Sequence, residues 1–140
     1  MNYWLFKSEP DAWSWDQQLA RGEAGEEWTG VRNYQARNTM RAMKIGDRGF
    51  FYHSNTGKDI VGVVEVIRES EPDSTTDDHR WDCVVIKAVA SVETPITLEK
   101  CKDTPELQDM ALVKSSRLSV QPVRKAEWKI VCRMAGIAAE

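Results

Sequence analysis

The sequence predicts a single α+β domain, and three observations support this prediction. The chain has 140 residues and a mass of 16.0 kDa, which suits one hydrophobic core. Two segments rich in β-branched residues, 60–67 and 83–92, are typical of strands. The predicted element order, β-α-α-β-β-β-α-β-α, matches neither a repeated βαβ unit nor a sandwich of strands alone. We therefore expect one domain over residues 1–140, with a small curled sheet and helices at its ends.

Composition excludes several classes of protein. The chain is 41% hydrophobic and 29% charged, which is ordinary for a globular protein and excludes a disordered or collagen-like chain. It has no run of about 18 apolar residues and no N-terminal secretory signal, so we expect no membrane partner. Three cysteines form no C-x-x-C pair, which favours reduced thiols and a cytoplasmic protein. The two histidines lie far apart in the sequence, and we expect neither a metal site nor a cofactor.

The first two predicted elements are a strand and a short helix. Residues 3–7 are aromatic or apolar for the most part, and Pro10, which has no backbone N–H for a ladder, ends this strand. Ser14 and Gln17 have the spacing of a capping box, which predicts a helix over residues 14–21.

A longer helix is predicted over residues 34–44, after a loop over residues 22–30. Asn33 can cap the first turn of this helix, and Gly46 can end it. Its i, i+4, i+7 spacing predicts a core-facing stripe of Ala36, Met40 and Met43. The same spacing places three cations, Arg37, Arg41 and Lys44, on a second stripe.

Three strands are predicted in the middle of the chain, over residues 49–54, 60–67 and 83–92. Residues 55–58 have the composition of a turn. The acidic segment 69–79 is too polar to pack, so we expect a surface connection within a long hairpin. Pro95 should end the third of these strands.

The last third of the chain predicts short elements followed by a helix. Thr97 and Thr104 can each start a helical turn, and residues 118–120 could add a strand. The final helix, over residues 124–135, presents Trp128, Val131 and Ala135 on one side.

Charge is unevenly distributed along the chain. The net charge is −3, yet residues 31–48 carry five basic side chains against one acid, and residues 114–133 carry six against one. If the two segments meet in space, they form a positive face suited to nucleic acid. Alternatively, both are the solvated faces of amphipathic helices.

Aromatic and polar residues are clustered too. Ten of the twelve aromatic residues lie within residues 3–52, which raises the prospect of an aromatic-lined pocket. Polar clusters over residues 7–9, 28–34, 52–55 and 114–119 lie at the ends of predicted elements, where functional sites are commonly built. Individually they also fit structural roles, such as helix caps or a core histidine.

Together, these segments resemble the EVE domain family, a branch of the PUA-like superfamily. The similarity is carried by residues 4–10, 28–38, 51–55 and 117–123, in that order. The resemblance implies a PUA-like mixed-strand pseudobarrel with flanking helices, and a pocket related to that of YTH domains. It further implies a module that binds DNA or RNA and reads a modified nucleobase, such as a methylated cytosine or adenine, with a separate effector protein as a possible partner. The 69–79 connection is shorter than in eukaryotic members.

Trp28 is the first choice for a ring that stacks on a flipped base, because glycines beside it let the backbone approach a ligand. The other pocket candidates supply hydrogen-bonding groups or flank the same segments. The full predicted base-binding set is Lys7, Ser8, Glu9, Trp28, Arg32, Asn33, Tyr34, Tyr52, His53, Ser54, Asn55, Arg117, Leu118 and Ser119. The predicted phosphate contacts are Arg37, Arg41 and Lys44.

Two other functions fit the same residues. Lys7, Glu9 and His53 could form a general acid/base set, as in small amidohydrolases of the related ASCH branch that act on modified nucleosides. A protein-interaction module could instead use the basic face. The sequence contains no G-x-S-x-G motif and no phosphate-binding loop that would favour an enzyme.

Overall fold

The computed structural model describes residues 1–115 and 117–139. The strands in these residues are β1 (Tyr3–Ser8), β2 (Glu26–Glu27), β3 (Arg48–His53), β4 (Asp59–Pro72), β5 (Asp82–Thr97) and β6 (Val120–Val123). The helices are α1 (Trp15–Ala20), α2 (Tyr34–Arg41), α3 (Leu98–Asp103), α4 (Ala111–Lys114) and α5 (Lys125–Ala135). Short 3₁₀ helices cover Gly22–Ala24 and Pro105–Leu107.

The strands form one mixed sheet in the order β2-β5-β4-β3-β1-β6. β1 and β3 are parallel, with Leu5 opposite Phe50, whereas the other neighbouring pairs are antiparallel. In the part of the chain that the structure describes, β2 and β6 form the two edges, so the sheet stays open. The predicted α+β class is confirmed.

Each face of the sheet carries its own hydrophobic core. Because side chains alternate along a strand, Leu5 points to one face and Phe6 to the other. The first face, which we call the α5-side core, holds Leu5, Phe50 and Trp128. The second, the α2-side core, holds Phe6, Trp28 and Met40. The predicted apolar faces of α2 and α5 thus pack on opposite faces of the sheet.

The predicted caps form, but α2 ends earlier than expected. Ser14 makes the predicted capping box at the start of α1, and the Asn33 side chain accepts a hydrogen bond from the Ala36 N–H. α2 stops at Arg41, three residues short of the predicted end, because the chain turns towards a buried carboxylate: Asp47 accepts a hydrogen bond of 3.0 Å from the Lys44 N–H. This bond satisfies an amide that a longer helix would have used.

The central hairpin is longer than predicted. β4 runs to Pro72 and β5 to Thr97, so the first residues of the acidic segment 69–79 belong to a strand. Arg68 pairs with Glu71 of the same strand at 3.3 Å and donates to the Cys83 carbonyl of β5 at 3.0 Å. Pro95 does not end β5, because it falls where the β4–β5 register shifts between Ile60 and Gly62 and the ladder needs no N–H.

The remaining differences lie in short elements. β2 occupies part of the predicted loop 22–30, α4 was not predicted, and the strand expected over residues 118–120 lies at Val120–Val123. The three cysteines are free and buried. Among the described residues, no helix is long and apolar enough to cross a membrane, and no group of histidine, cysteine or acidic side chains is arranged to hold a metal ion.

Candidate functional site

A pocket of about 420 Å³ opens where the end of β1 faces the segment that follows β2. This volume lies within the range of small-ligand sites. Its lining comes from three parts of the chain, namely residues 7–9 with 12 and 13, residues 26–32, and Ser119. Two tryptophans, Trp13 and Trp28, contribute to its wall, so the pocket combines aromatic surface with polar groups.

Trp28 belongs both to this pocket and to the hydrophobic core. Its side chain is only 8% exposed. The ring packs edge-on against Phe6 and Phe51, with centroid distances of 5.4 and 5.7 Å, and its backbone N–H donates to the Val84 carbonyl. The pocket therefore rests directly on the α2-side core.

The indole N–H of Trp28 is available to a ligand. Trp4, Trp13, Trp15 and Trp128 each donate their ring N–H to a protein acceptor, whereas that of Trp28 makes no hydrogen bond to any described residue. A tryptophan N–H normally finds a partner when it is buried. The Trp28 ring thus offers an aromatic surface and one unused donor beside the pocket.

Trp13 forms the second aromatic wall and is fixed from behind. Its ring N–H donates to the Gln18 side-chain oxygen at 2.9 Å, and Gln18, fully buried, in turn donates to the Ile86 carbonyl at 3.0 Å. The Ser8 hydroxyl donates to the Trp13 carbonyl at 2.5 Å. The half-buried indole is therefore held before α1, where it is ready to contact a ligand.

A buried carboxylate holds the segment that carries the rim of the pocket. Asp73, 2% exposed, accepts hydrogen bonds from the Gly30 N–H at 2.9 Å and from the Arg32 guanidinium at 3.0 Å. Thr75 donates to its other oxygen from both N–H and hydroxyl. Burial raises the pKa of Asp73, but these hydrogen bonds outweigh it and lower the pKa to about 2. The carboxylate is thus ionised at neutral pH.

Six of the predicted pocket residues line this cavity. They are Lys7, Ser8, Glu9, Trp28, Arg32 and Ser119. The Lys7 ammonium lies 3.5 Å from the Ser115 carbonyl and 6.0 Å from the Tyr52 ring centre, and burial lowers its pKa. Lys7 and Glu9 thus both line the cavity, but the Lys7 ammonium lies next to Tyr52, a residue of the α5-side core.

Eight predicted residues lie elsewhere. Asn33 caps α2, Tyr34 is exposed, and Tyr52 is buried on the opposite face of the sheet, in the α5-side core. His53 accepts the Trp15 N–H at its Nε2, and burial lowers its pKa. The remaining four fall in the turn after β3 or in the segment before β6, and they are Ser54, Asn55, Arg117 and Leu118. Leu118 is buried in the α2-side core. Ser116, in the same polar cluster, lies outside the described residues.

Tyr34 takes part in a different cluster on the surface next to the pocket. Its ring stacks on Trp81 with centroids 5.0 Å apart. Arg37 lies over the Tyr34 ring at 4.8 Å, while Arg32 and Arg80 lie 5.6 and 5.8 Å from the Trp81 ring centre. Arg32 also lines the pocket, so the two features are continuous.

The basic residues of α2 and those of α5 do not form one face. α2 packs in the α2-side core and α5 in the α5-side core, which places them on opposite sides of the sheet. Within the first segment, Arg41 pairs with Asp82, and Lys44 lies 3.9 Å from Glu69. Two of the three predicted phosphate contacts therefore already have acidic partners.

Sequence reasoning did not assign four residues that the structure brings to this region: Trp13, Asp73, Arg80 and Trp81. The position of Trp13 immediately before a capping box was an available signal. Trp81 is a lone aromatic residue at the end of an acidic stretch, which also indicates a buried anchor. Nothing in the local sequence marks Asp73 among the acids around it, because its burial depends on a contact with residues more than forty positions away.

Comparison with known proteins identifies related chains. The EVE domain family model matches residues 2–134. Mouse thymocyte nuclear protein 1 is 35% identical over 162 residues, covering 93% of this chain and 72% of the relative. A crystal structure of a protein from Agrobacterium tumefaciens is 62% identical, with a TM-score of 0.97, covering 99% of this chain and 95% of the other. A crystal structure of human THYN1 protein in complex with 5-methylcytosine-containing DNA is 30% identical, with a TM-score of 0.91 and 99% of both chains covered.

The fold extends to a more distant group. The YTH domain of Zygosaccharomyces rouxii MRB1 protein, solved in complex with N6-methyladenosine RNA, superposes with a TM-score of 0.56 at 16% identity, over 95% of this chain and 85% of the other. At this level of identity the similarity concerns the fold alone. The predicted PUA-like architecture is confirmed.

Proposed function

The chain belongs to the EVE domain family, and from this premise we propose that it is a nucleic-acid-binding module that reads a modified nucleobase. The base is flipped out of its strand and enters the pocket between Trp13 and Trp28. The observation that carries the proposal is this two-tryptophan pocket with an unused indole N–H. The human THYN1 structure with 5-methylcytosine DNA, which covers 99% of this chain, supports the same class of ligand.

The energetics of flipping favour an aromatic pocket. Removing one base from a stack costs a few kcal/mol, and stacking on an aromatic side chain returns about 1–3 kcal/mol per base. Trp13 is pre-positioned by Gln18 and by the Ser8 hydroxyl, so ordering its ring on binding costs little. Two rings can therefore compensate for the disruption of the strand.

Recognition of the base edge falls to the polar groups of the same cavity. The free Trp28 N–H can donate to a base acceptor, and the exposed Glu9 carboxylate can accept from an exocyclic amine. A methyl group adds about 0.8 kcal/mol when it is buried, which alone gives only about a fourfold preference. Stronger discrimination requires a close fit against the apolar wall formed by Ala12, Trp13 and Val31.

A binding screen tests the proposal. Oligonucleotides of one sequence, each with a single modified base such as 5-methylcytosine or N6-methyladenine, are titrated against the protein beside the unmodified strand. We expect one modified strand to bind more tightly than the unmodified one. Trp13→Ala should lower this affinity about five- to 150-fold, whereas Leu19→Ala, an exposed position on the neighbouring helix α1, should leave it unchanged. Equal affinity for every strand would contradict base reading.

The alternative function, a hydrolase, would use the same cavity. A measurement of substrate turnover distinguishes it from a base reader. Lys7 and Glu9 line the pocket, whereas His53 is not among its lining residues and accepts the Trp15 backbone N–H at its Nε2. Incubation with acylated cytidines, followed by mass spectrometry, measures hydrolysis directly. Product that disappears in Lys7→Met would establish an enzyme. Absence of both turnover and oligonucleotide binding would favour the protein-interaction module.

A further inference from the structure

Arg37, beside the pocket, carries a charge that is held in place but not neutralised. Its guanidinium donates to the Arg80 carbonyl at 3.0 Å and, through two nitrogens, to the Asn38 side-chain oxygen at 2.8 and 3.2 Å. All these acceptors are neutral. Among residues 1–115 and 117–139, no carboxylate forms a salt bridge with Arg37. The group is therefore oriented without an ion pair.

Its neighbours on the same helical stripe differ in this respect. Arg41 is paired with Asp82, and Lys44 lies 3.9 Å from Glu69. An anion approaching either of these side chains has to compete with a carboxylate of the protein. Arg37 presents no such competitor, so the structure distinguishes one cation from the other two.

Aromatic rings connect Arg37 to the pocket. The guanidinium lies 4.8 Å from the centre of Tyr34, which is 49% exposed and stacks on the buried Trp81. On Trp81 lies Arg32, which lines the pocket. Arg37 is thus joined to the rim of the base site by a continuous, closely packed set of side chains.

We propose that Arg37, supported by the Tyr34 ring, binds a backbone phosphate of the strand whose modified base enters the pocket. This inference rests on the proposed function. A guanidinium has five N–H groups, and three hydrogen bonds to protein acceptors leave two for phosphate oxygens. Because the group is already oriented, little side-chain entropy is lost on binding. A phosphate supplies the negative charge that its protein partners lack.

The test compares Arg37→Gln with the wild-type protein on a single-stranded oligonucleotide carrying one 5-methylcytosine. Affinity is measured at several salt concentrations by isothermal titration. We expect about a tenfold loss at low salt, consistent with one charged hydrogen bond, for modified and unmodified strands alike. The slope of log affinity against log salt should decrease by about 0.7, the value for one phosphate contact on a single strand.

Replacing single phosphodiester linkages by neutral methylphosphonates locates the contact. At one linkage near the modified base, the wild-type protein should lose as much affinity as Arg37→Gln, and the variant should show no further loss. Tyr34→Ala removes the support without changing the charge and should weaken binding, while Tyr34→Phe should resemble wild type. Arg133→Gln, an exposed cation on α5 across the sheet, is the matched control and should have no effect.

The outcomes separate this inference from the proposed function. The phosphate site is overturned if Arg37→Gln leaves the salt slope unchanged and if its loss of affinity adds to the loss caused by every methylphosphonate. This holds even if the wild-type protein prefers the modified base. Conversely, a reduced slope with no preference for the modified base supports the phosphate site and overturns base reading. If the wild-type protein binds no oligonucleotide, both are wrong.

Discussion

Asp73 and Arg32 are joined by an ion pair of 3.0 Å in which the carboxylate is completely buried and the guanidinium is partly exposed. The same carboxylate oxygen accepts the Gly30 N–H. Asp73 lies just beyond β4, whereas Gly30 and Arg32 belong to the segment that lines the pocket. The acidic connection of the long hairpin therefore fixes the pocket rim. It has a structural role that a fully solvated loop would not have.

Replacing Asp73 by asparagine should loosen this rim. The amide nitrogen of Asn donates rather than accepts, so at least one of the groups that donate to buried Asp73, namely Gly30 N–H, Thr75 or Arg32, loses its acceptor. We expect Asp73→Asn to lower the free energy of unfolding by about 1–3 kcal/mol and to weaken oligonucleotide binding. Urea denaturation and titration measure the two effects. Asp77→Asn, which removes the same charge at an exposed position of the same connection, should change stability by less than about 0.5 kcal/mol.

Acid should abolish the contribution of Asp73 over a defined pH range. Its pKa falls from 3.8 to about 2 in the folded protein, so the folded state favours the ionised form. The resulting stabilisation, about 2 kcal/mol by linkage, is fully present above pH 4 and is lost as the pH falls towards 2. We expect the stability difference between wild type and Asp73→Asn to shrink over this range. A difference that stays constant down to pH 2 would show that the carboxylate is not specifically stabilised.

Trp28→Ala should destabilise the fold and not act on binding alone. Its loop position in the sequence suggests a ring whose loss the fold tolerates, but the side chain is 8% exposed and packs on Phe6 and Phe51. Large-to-small changes at such positions cost about 3–5 kcal/mol. Thermal unfolding should show a large decrease in melting temperature for Trp28→Ala and a smaller one for Trp13→Ala. Near-equal melting of Trp28→Ala and wild type would show that the ring is not a core group.

The sequence predicted the elements that depend on local patterns. Ser14 and Asn33 cap the helices that their spacing indicated, and the stripe containing Met40 is buried. These features depend on residues within a few positions of one another, which a single sequence displays directly. The length of the hairpin was not predictable in this way, because charged strand residues such as Arg68 are stabilised by partners on other strands, here Glu27 of β2 and the Cys83 carbonyl of β5.

The candidate site was predictable in part for the same reason. Residues next to the end of β1, such as Ser8, were found because a strand end is visible in the sequence. Tyr52 was assigned to the pocket although the alternation along β3 places it in the α5-side core. Its neighbour Phe51 points to the pocket side and supports Trp28. Tyr52 was assigned to the wrong face because both faces of this central strand are apolar. The sequence therefore shows no alternation of polar and apolar residues that would distinguish the two faces.

Gly62 shows how closely the core beneath the pocket is packed. A Cβ atom added there would lie 2.2 Å from the Trp15 ring, far inside van der Waals contact. The Trp15 ring cannot easily move away, because its indole N–H donates to the Ser91 hydroxyl at 2.9 Å and the ring packs on Phe51 with centroids 5.1 Å apart. We expect Gly62→Ala to lower the free energy of unfolding by about 1–3 kcal/mol or more, as measured by urea denaturation.

A double-mutant cycle with Trp15→Leu identifies the clash as the cause. The smaller side chain makes room for the added methyl group, so Gly62→Ala should cost less in the Trp15→Leu protein than in the wild type. Coupling between contacting residues is typically about 0.5–3 kcal/mol. If the two changes are additive, the cost at Gly62 comes from the backbone and not from the indole. Because Phe51 links Trp15 to Trp28, Gly62→Ala should also weaken oligonucleotide binding, and Trp15→Leu should partly restore it.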